Sequence, residues 1–170
     1  MPVTPASPAT PGGRPRLLLA AIAVVLLVAD QVTKHLAITR LDPHDPPTYL
    51  GGFFRLLLVF NPGAAFSLGT SSTLFFSILA LIVLTGLVVV VAPRIRTRSM
   101  AVVTGLGIAG VGGNFIDRLV RDPSPFRGHV IDFLSFGSFP VFNVADMCLT
   151  SAAALMILFS LRPQPQPQQD

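Results

Sequence analysis

The stretch that most constrains the fold of this chain is residues 73–92, which are twenty consecutive residues without a charged side chain. A helix of about 20 apolar residues matches the thickness of the hydrocarbon core of a bilayer. Three further segments, residues 17–38, 100–119 and 142–161, are also predominantly apolar and of similar length. Only 12% of all residues are charged, whereas soluble domains average about 25%. The sequence therefore predicts an all-α membrane protein with four transmembrane helices.

The composition also excludes several classes of partner and cofactor. The net charge is +4, but the basic residues are scattered and have no aromatic residues interleaved, so we expect no nucleic-acid partner. Cys148 is the only cysteine, which excludes an intrachain disulfide. The sequence has no Cys/His zinc cluster and no Gly-rich phosphate loop. We expect neither a metal nor another cofactor.

The two ends differ in composition from the rest of the chain. Residues 1–16 are rich in Pro, Ala and Thr, and residues 162–170 read "RPQPQPQQD". Such segments cannot build a core, so we predict disordered tails around a membrane domain at residues 17–161. The first apolar run also fits a secretory signal peptide. No small-x-small cleavage site follows it, however, and "DQVTKHLAI" continues a helical pattern, which favours a retained first span.

The loop at residues 93–99 indicates the orientation, because it contains Arg94, Arg96 and Arg98. Short arginine-rich loops are typical of the cytoplasmic side, which places both termini in the cytoplasm. The opposite ends of the four spans then meet at one membrane face. Every polar motif of the chain falls at one of those ends. We therefore predict that distant residues converge at the extracytoplasmic face.

The segment "FFRLLLVF" at residues 53–60 is apolar but too short to span a bilayer as a helix. We interpret residues 49–60 as one or two strands of a small extracytoplasmic β-sheet. The turn residues Asn61, Pro62 and Gly63 follow. The full fold prediction is a four-transmembrane-helix bundle with this small sheet.

Asp132 and Asp146 are the leading candidates for chemistry. Two carboxylates that approach each other in a low-dielectric setting cannot both ionise easily, so one keeps a proton and the other acts as a base. Such a pair can activate water against an amide carbonyl and protonate the leaving nitrogen. The structural alternative is that Asp132 is an ordinary loop acid and Asp146 a helix N-terminal acid. An ionisable residue inside an apolar segment more often has a function.

Other polar residues have spacings that suggest support for this pair. Asp30 and Lys34 are four residues apart, which allows an intrahelical ion pair or, alternatively, a lysine that reaches towards the membrane interface. Asn114, Asp117 and Arg118 have helical spacing, and we expect Arg118 to neutralise Asp117. Both asparagines near the motifs have structural alternatives, Asn61 as a turn residue and Asn143 as a helix N-cap.

Five motifs in this order resemble the lipoprotein signal peptidases, also called signal peptidase II. They are "DQVTK", "NPGAAFS", "GNFIDR", "GHVIDF" and "FNVAD", and they cover most of the chain from Asp30 to Asp146. The resemblance implies an intramembrane aspartic endopeptidase of the bacterial inner membrane. It also implies a catalytic dyad of Asp132 and Asp146. Supporting or substrate-binding roles are implied for Asp30, Lys34, Asn61, Gly63, Asn114, Asp117, Arg118, Asn143 and Ala145.

The resemblance further implies the substrate and an inhibitor. Family members remove the signal peptide from prolipoproteins, cutting on the amino side of a cysteine that carries diacylglycerol. Membrane lipid is the surrounding partner, and the antibiotic globomycin blocks the family by occupying the dyad. The segment between the two aspartates, residues 133–145, is short in this chain, which bears on how it covers the substrate.

Two other classes of function remain open from the residues alone. A small proton- or cation-coupled carrier would use the same carboxylates to bind its ion, although carriers often show internal repeats and this chain shows none. A membrane scaffold would make the polar residues dispensable one at a time.

Overall fold

The computed structural model describes residues 13–63 and 71–161. Residues 1–12 of the predicted tail at residues 1–16, the tail at residues 162–170 and the last four residues of "NPGAAFS" lie outside this part. For residues 13–16 the prediction of disorder is wrong, because they form the first turn of the first helix. The described part has four α-helices and a three-stranded sheet. In chain order these are α1 (Gly13–Arg40), β1 (Thr48–Tyr49), β2 (Phe54–Asn61), α2 (Ser71–Thr85), α3 (Arg98–Val120), β3 (Val130–Phe136) and α4 (Val144–Ser160). A π-helical segment (Gly86–Val91) and a 3-10 turn (Ala92–Arg94) extend α2.

Three of these helices are long and apolar enough to cross a membrane. They are α1 from Arg14, α2 with its extension over Thr73–Arg94, and α3. They coincide with the predicted spans at residues 17–38, 73–92 and 100–119, within four residues at each end. The fourth predicted span, residues 142–161, corresponds to α4, an apolar helix of 17 residues.

Helix α3 is central, because it contacts each of the other three helices. Its glycines let the neighbours approach closely. A methyl group at Gly110 would lie 2.6 Å from the carbonyl oxygen of Ala145 on α4, and one at Gly113 would lie 2.5 Å from a carboxylate oxygen of Asp30 on α1. Any larger residue would push the helices apart, so both glycines are needed for close packing of the polar ends of α1 and α4.

The sheet is antiparallel in the order β1–β2–β3. The predicted small sheet is confirmed, but its largest pairing joins β2 to β3, a strand that we predicted as loop. The segment "VIDFLSF" has a pattern that could have predicted this strand, because its apolar residues flank a single acid. Ile131 and Phe133 pack with Leu58 and with Ala37 of α1 in a buried cluster. Because side chains alternate along a strand, Asp132 points to the other face.

Candidate active site

The polar motifs converge at one end of the helix bundle, as predicted. Polar side chains from α1, β2, α3, β3 and α4 contact one another there, although the outermost of them are separated by more than 110 residues in sequence. The members already predicted from the sequence are Asp30, Lys34, Asn61, Asn114, Asp117, Asp132, Asn143 and Asp146.

Asn143 joins the two candidate catalytic acids. Its side-chain Nδ2 donates to Oδ1 of Asp132 over 2.6 Å, and its backbone N donates to Oδ2 of Asp146 over 3.1 Å. The Oδ1 of Asn143 accepts from the backbone N of Asp146, which completes a capping box at the start of α4. The cap and the link to the acids, which the sequence offered as alternatives, are therefore both present. The cap also fixes the Asn143 amide so that its NH₂ group faces Asp132.

Each acid accepts a second hydrogen bond from another asparagine. Asn61, the last residue of β2, donates from Nδ2 to Oδ2 of Asp132 over 2.9 Å. Asn114 on α3 donates from Nδ2 to Oδ1 of Asp146 over 2.8 Å. All four carboxylate oxygens thus have a fixed donor. This arrangement holds the orientation of both carboxyl groups, which general acid–base chemistry requires.

An ion cluster lies directly behind these residues. The Lys34 ammonium lies 2.9 Å from Asp30 Oδ2, 2.7 Å from Asp117 Oδ2 and 2.9 Å from Asn114 Oδ1. The Lys34, Asp30 and Asp117 side chains are no more than 1% exposed, so the alternative of a lysine reaching to the interface is wrong. The donation by Lys34 to Asn114 Oδ1 fixes that amide, so that its NH₂ group faces Asp146.

Ala145 and Gly63, for which the family resemblance implies a supporting role, make their contacts through backbone atoms. The backbone N of Ala145 donates to Asp30 Oδ1 over 2.9 Å, which ties the start of α4 to α1. The backbone N of Gly63 donates to Asn61 Oδ1 over 2.8 Å, and Gly63 has a φ of 95°. Glycine is favoured there because other residues rarely adopt that conformation. This turn fixes the Asn61 amide with its NH₂ group towards Asp132.

The prediction that Arg118 neutralises Asp117 is wrong. Asp117 pairs with Lys34 and with Arg121, whose Nε lies 2.7 Å from Asp117 Oδ1. Adjacent residues on a helix do not face each other, whereas residues four apart do. Arg118 instead donates from a terminal nitrogen to the carbonyl of Asn114, and its buried Nε has no hydrogen-bond partner among the described residues.

Sequence reasoning missed two residues of this network, Gln31 and Arg121. Gln31 Nε2 donates to Asp30 Oδ2 and to the Gly113 carbonyl, both over 3.1 Å. Arg121 is four residues after Asp117, the spacing that could have indicated the pair. The histidines lie outside this network, and Cys148 is buried, as expected for a small core residue. No group of metal-binding side chains occurs among the residues that the structure describes.

The surroundings of Asp132 favour its protonated form. Burial raises the pKa of Asp132 to about 6, and the nearby charge of Asp146 adds to this rise. Hydrogen bonds from Asn61 and Asn143 favour the ionised form and limit the shift. The side chain is 3% exposed, so desolvation is the dominant cause. Asp132 can therefore exchange a proton close to neutral pH.

Two cavities adjoin the acids. One, of about 250 Å³, lies between α2, α3 and α4, with Asn114 and Arg118 among its lining residues. The other, of about 520 Å³, lies between residues 139–142 and α4, with Asp146 in its wall. Apart from these polar groups, apolar side chains predominate in both walls. An elongated apolar ligand can therefore approach Asp146 from one side of α4 and its hydrogen-bond partner Asn114 from the other.

Comparisons with known proteins identify the family of this chain. A family model described as signal peptidase II matches residues 22–162. The lipoprotein signal peptidase of Mycolicibacterium smegmatis is 43% identical over 91% of this chain. This chain spans 65% of the length of that relative. The lipoprotein signal peptidase of Mycobacterium avium is 40% identical over 95% of this chain and 90% of its own length.

Solved structures show the same architecture. A bacterial membrane enzyme determined by the in meso method at 1.9 Å resolution is 32% identical, with a TM-score of 0.74 over 86% of this chain and 94% of that one. A second, at 2.3 Å resolution, is 30% identical with a TM-score of 0.73. The chain therefore belongs to the signal peptidase II family, the lipoprotein signal peptidases, which are membrane proteases that remove signal peptides from lipoprotein precursors.

Proposed function

We propose that this chain is itself an aspartic endopeptidase that cleaves prolipoproteins on the amino side of a diacylglyceryl-modified cysteine, with Asp132 and Asp146 as its catalytic residues. The observation that carries the proposal is the position of Asn143, which hydrogen-bonds both carboxylates at once. Two acids held on either side of one residue are close enough to act on a single water molecule.

The surroundings of the two acids suggest different starting states. Asp132, whose pKa is raised by burial, holds the shared proton. Asp146 lies in the first turn of α4, where the helix dipole favours a negative charge. Asp146 therefore serves as the base.

The reaction then follows from these starting states. Asp146 takes a proton from water as the oxygen attacks the scissile carbonyl, and Asp132 gives its proton to the carbonyl oxygen. Collapse of the tetrahedral intermediate breaks the C–N bond as the proton on Asp146 passes to the leaving nitrogen, and a hydroxyl group of the intermediate returns a proton to Asp132. The new carboxyl group and amine account for both fragments.

The two cavities indicate how the substrate lies across the acids. We place the signal helix in the cavity between α2, α3 and α4. There the buried Nε of Arg118, which has no partner within residues 13–63 and 71–161, can donate to a substrate carbonyl. The acyl chains of the modified cysteine remain in lipid, beside the cavity between residues 139–142 and α4. An inhibitor of the globomycin type would compete for the same position at the dyad.

For the membrane arrangement we propose four spans, with α4 as the fourth, in the bacterial inner membrane. Arg94 and Arg96 lie at one end of the bundle, between α2 and α3, and the acids lie at the other end. The arginine-rich end favours the cytoplasm. Both termini are then cytoplasmic, and the dyad and sheet are extracytoplasmic.

Cleavage of a defined substrate tests this function. Purified protein in lipid is incubated with a prolipoprotein that carries the diacylglyceryl cysteine, and with the same precursor unmodified. We expect a cut directly before the cysteine in the modified precursor, identified by mass, and little cutting of the unmodified one. Full cleavage by an Asp132→Asn or Asp146→Asn variant would overturn the assignment of the dyad.

A further inference from the structure

Asp117 is the point where the ion cluster meets the strand that carries Asp132. One of its oxygens, Oδ2, accepts from Lys34 over 2.7 Å and from the backbone N of Ile131 over 3.2 Å. The other, Oδ1, accepts from Arg121 Nε over 2.7 Å. Because Ile131 directly precedes Asp132, the position of the Asp117 carboxylate sets the position of the catalytic strand.

Charge balance and direct contact together give Arg121 a role in this arrangement. Asp30 and Asp117 are both buried, and Lys34 lies between them. One ammonium cannot neutralise two buried carboxylates, and an uncompensated buried charge is costly. The charged groups that face this cluster are Asp30 and Lys34 on α1, Arg118 and Arg121 from the α3 end, Asp132 on β3 and Asp146 on α4. Among them, Arg121 is the second cation in direct contact with Asp117.

We propose that Arg121 is a positioning residue for the dyad, which acts by neutralising Asp117 so that Lys34 and the β3 backbone stay in register with Asp132 and Asp146. The proposal rests on the proposed aspartic protease function. Arg121 touches neither the acids nor the cavities, and the resemblance gives it no role.

The hydrogen bonds indicate how the loss of Arg121 would change the positions of Asp132 and Asp146. Without Arg121, Lys34 is drawn towards the uncompensated Asp117 and away from Asn114 Oδ1, 2.9 Å away in the present arrangement. The Asn114 amide then loses one of the two donors to its Oδ1, the other being Asn143 Nδ2 at 3.1 Å, so its orientation and the directed bond from Nδ2 to Asp146 are held less firmly. The Ile131 tether weakens at the same time. Both acids lose alignment, while the apolar side chains that line most of the two cavities lie away from Arg121 and keep their places.

The test compares Arg121→Gln with Arg127→Gln. Arg127 is in the same loop and is exposed, so its substitution removes the same charge without touching Asp117. We expect kcat for the modified prolipoprotein to fall at least about tenfold in Arg121→Gln, as for other residues that orient catalytic groups, with KM within about twofold of the wild type. Arg127→Gln should match the wild type.

Two further readouts separate positioning from a general loss of structure. Removal of a nearby positive charge should move the acidic limb of the kcat profile to higher pH in Arg121→Gln. Arg121→Lys keeps the charge and is conservative for folding. Its acidic limb should return to the pH of the wild type, and most of kcat should be restored. Equal kcat values in Arg121→Gln and Arg127→Gln, or an unchanged pH profile, would overturn the proposal. Absence of cleavage by the wild type would instead refute the protease function itself.

Discussion

Replacement of Asp132 by asparagine is expected to abolish cleavage and also to stabilise the fold above pH 6. The side chain is 3% exposed, and burial raises its pKa from 3.8 to about 6. The folded protein therefore binds this proton more tightly than the unfolded chain does. An asparagine of the same size carries no charge, so it avoids the cost of ionising a buried carboxyl group.

The sign and size of this effect follow from proton linkage. Because the pKa is raised on folding, the wild type loses stability as pH rises from about 4 to about 6, and the loss is complete above pH 6. Each pKa unit corresponds to 1.36 kcal/mol, so the rise amounts to roughly 3 kcal/mol in the free energy of unfolding. Asp132→Asn also turns its NH₂ group towards the amide of Asn61 or Asn143, which costs about 1 kcal/mol at every pH because one hydrogen bond is lost. The variant should therefore exceed the wild type by about 2 kcal/mol at pH 7 and be slightly less stable than the wild type near pH 4.

Denaturant unfolding in detergent at pH 4 and pH 7 measures this difference. Asp45→Asn is the matched control, because Asp45 is an exposed carboxyl group and its loss should leave the difference between the two pH values unchanged. If Asp132→Asn were no more stable than the wild type at pH 7, or gained equally at both pH values, the argument from burial would be wrong.

Two further predictions concern packing and topology. Gly113→Ala should cost about 1–3 kcal/mol of stability and reduce activity, because its methyl group would lie 2.5 Å from Asp30. Gly107→Ala is the control and should be tolerated, because its methyl group would meet its nearest neighbour at 3.6 Å. Equal unfolding free energies for the two variants would contradict this prediction. A membrane-impermeant thiol reagent added to intact cells should label Ser124→Cys but not Arg96→Cys, and the reverse pattern would invert the orientation.

Much of the arrangement was predictable from the sequence because membrane spans impose strong rules. Long uncharged segments indicate helices, and with four of them the polar motifs can meet at only one face. The i, i+4 spacing of Asp30 and Lys34 predicted their ion pair, which the structure has at 2.9 Å. The candidate dyad followed from the cost of placing acids beside apolar segments.

The parts that were missed depend on tertiary contacts. Strand β3 is only seven residues long, and its pairing with β2 is set by the buried cluster beside α1. Arg118 was predicted to neutralise Asp117 because the spacing of both from Asn114 put them on one helical face. Helix geometry instead directs Asp117 towards Lys34 and Arg121. No sequence pattern indicated that Asn143 would hydrogen-bond both acids, since that link needs β3 and α4 side by side.

The most direct test of the dyad is the combination of its two substitutions. Cleavage of the diacylglyceryl-modified prolipoprotein is measured for Asp132→Asn, Asp146→Asn and the double variant under identical conditions. If the two carboxylates act on one water as a unit, each single variant should fall to the same residual rate and the double variant should fall no further. A single variant that keeps substantial activity, or losses that multiply in the double variant, would contradict a shared catalytic water.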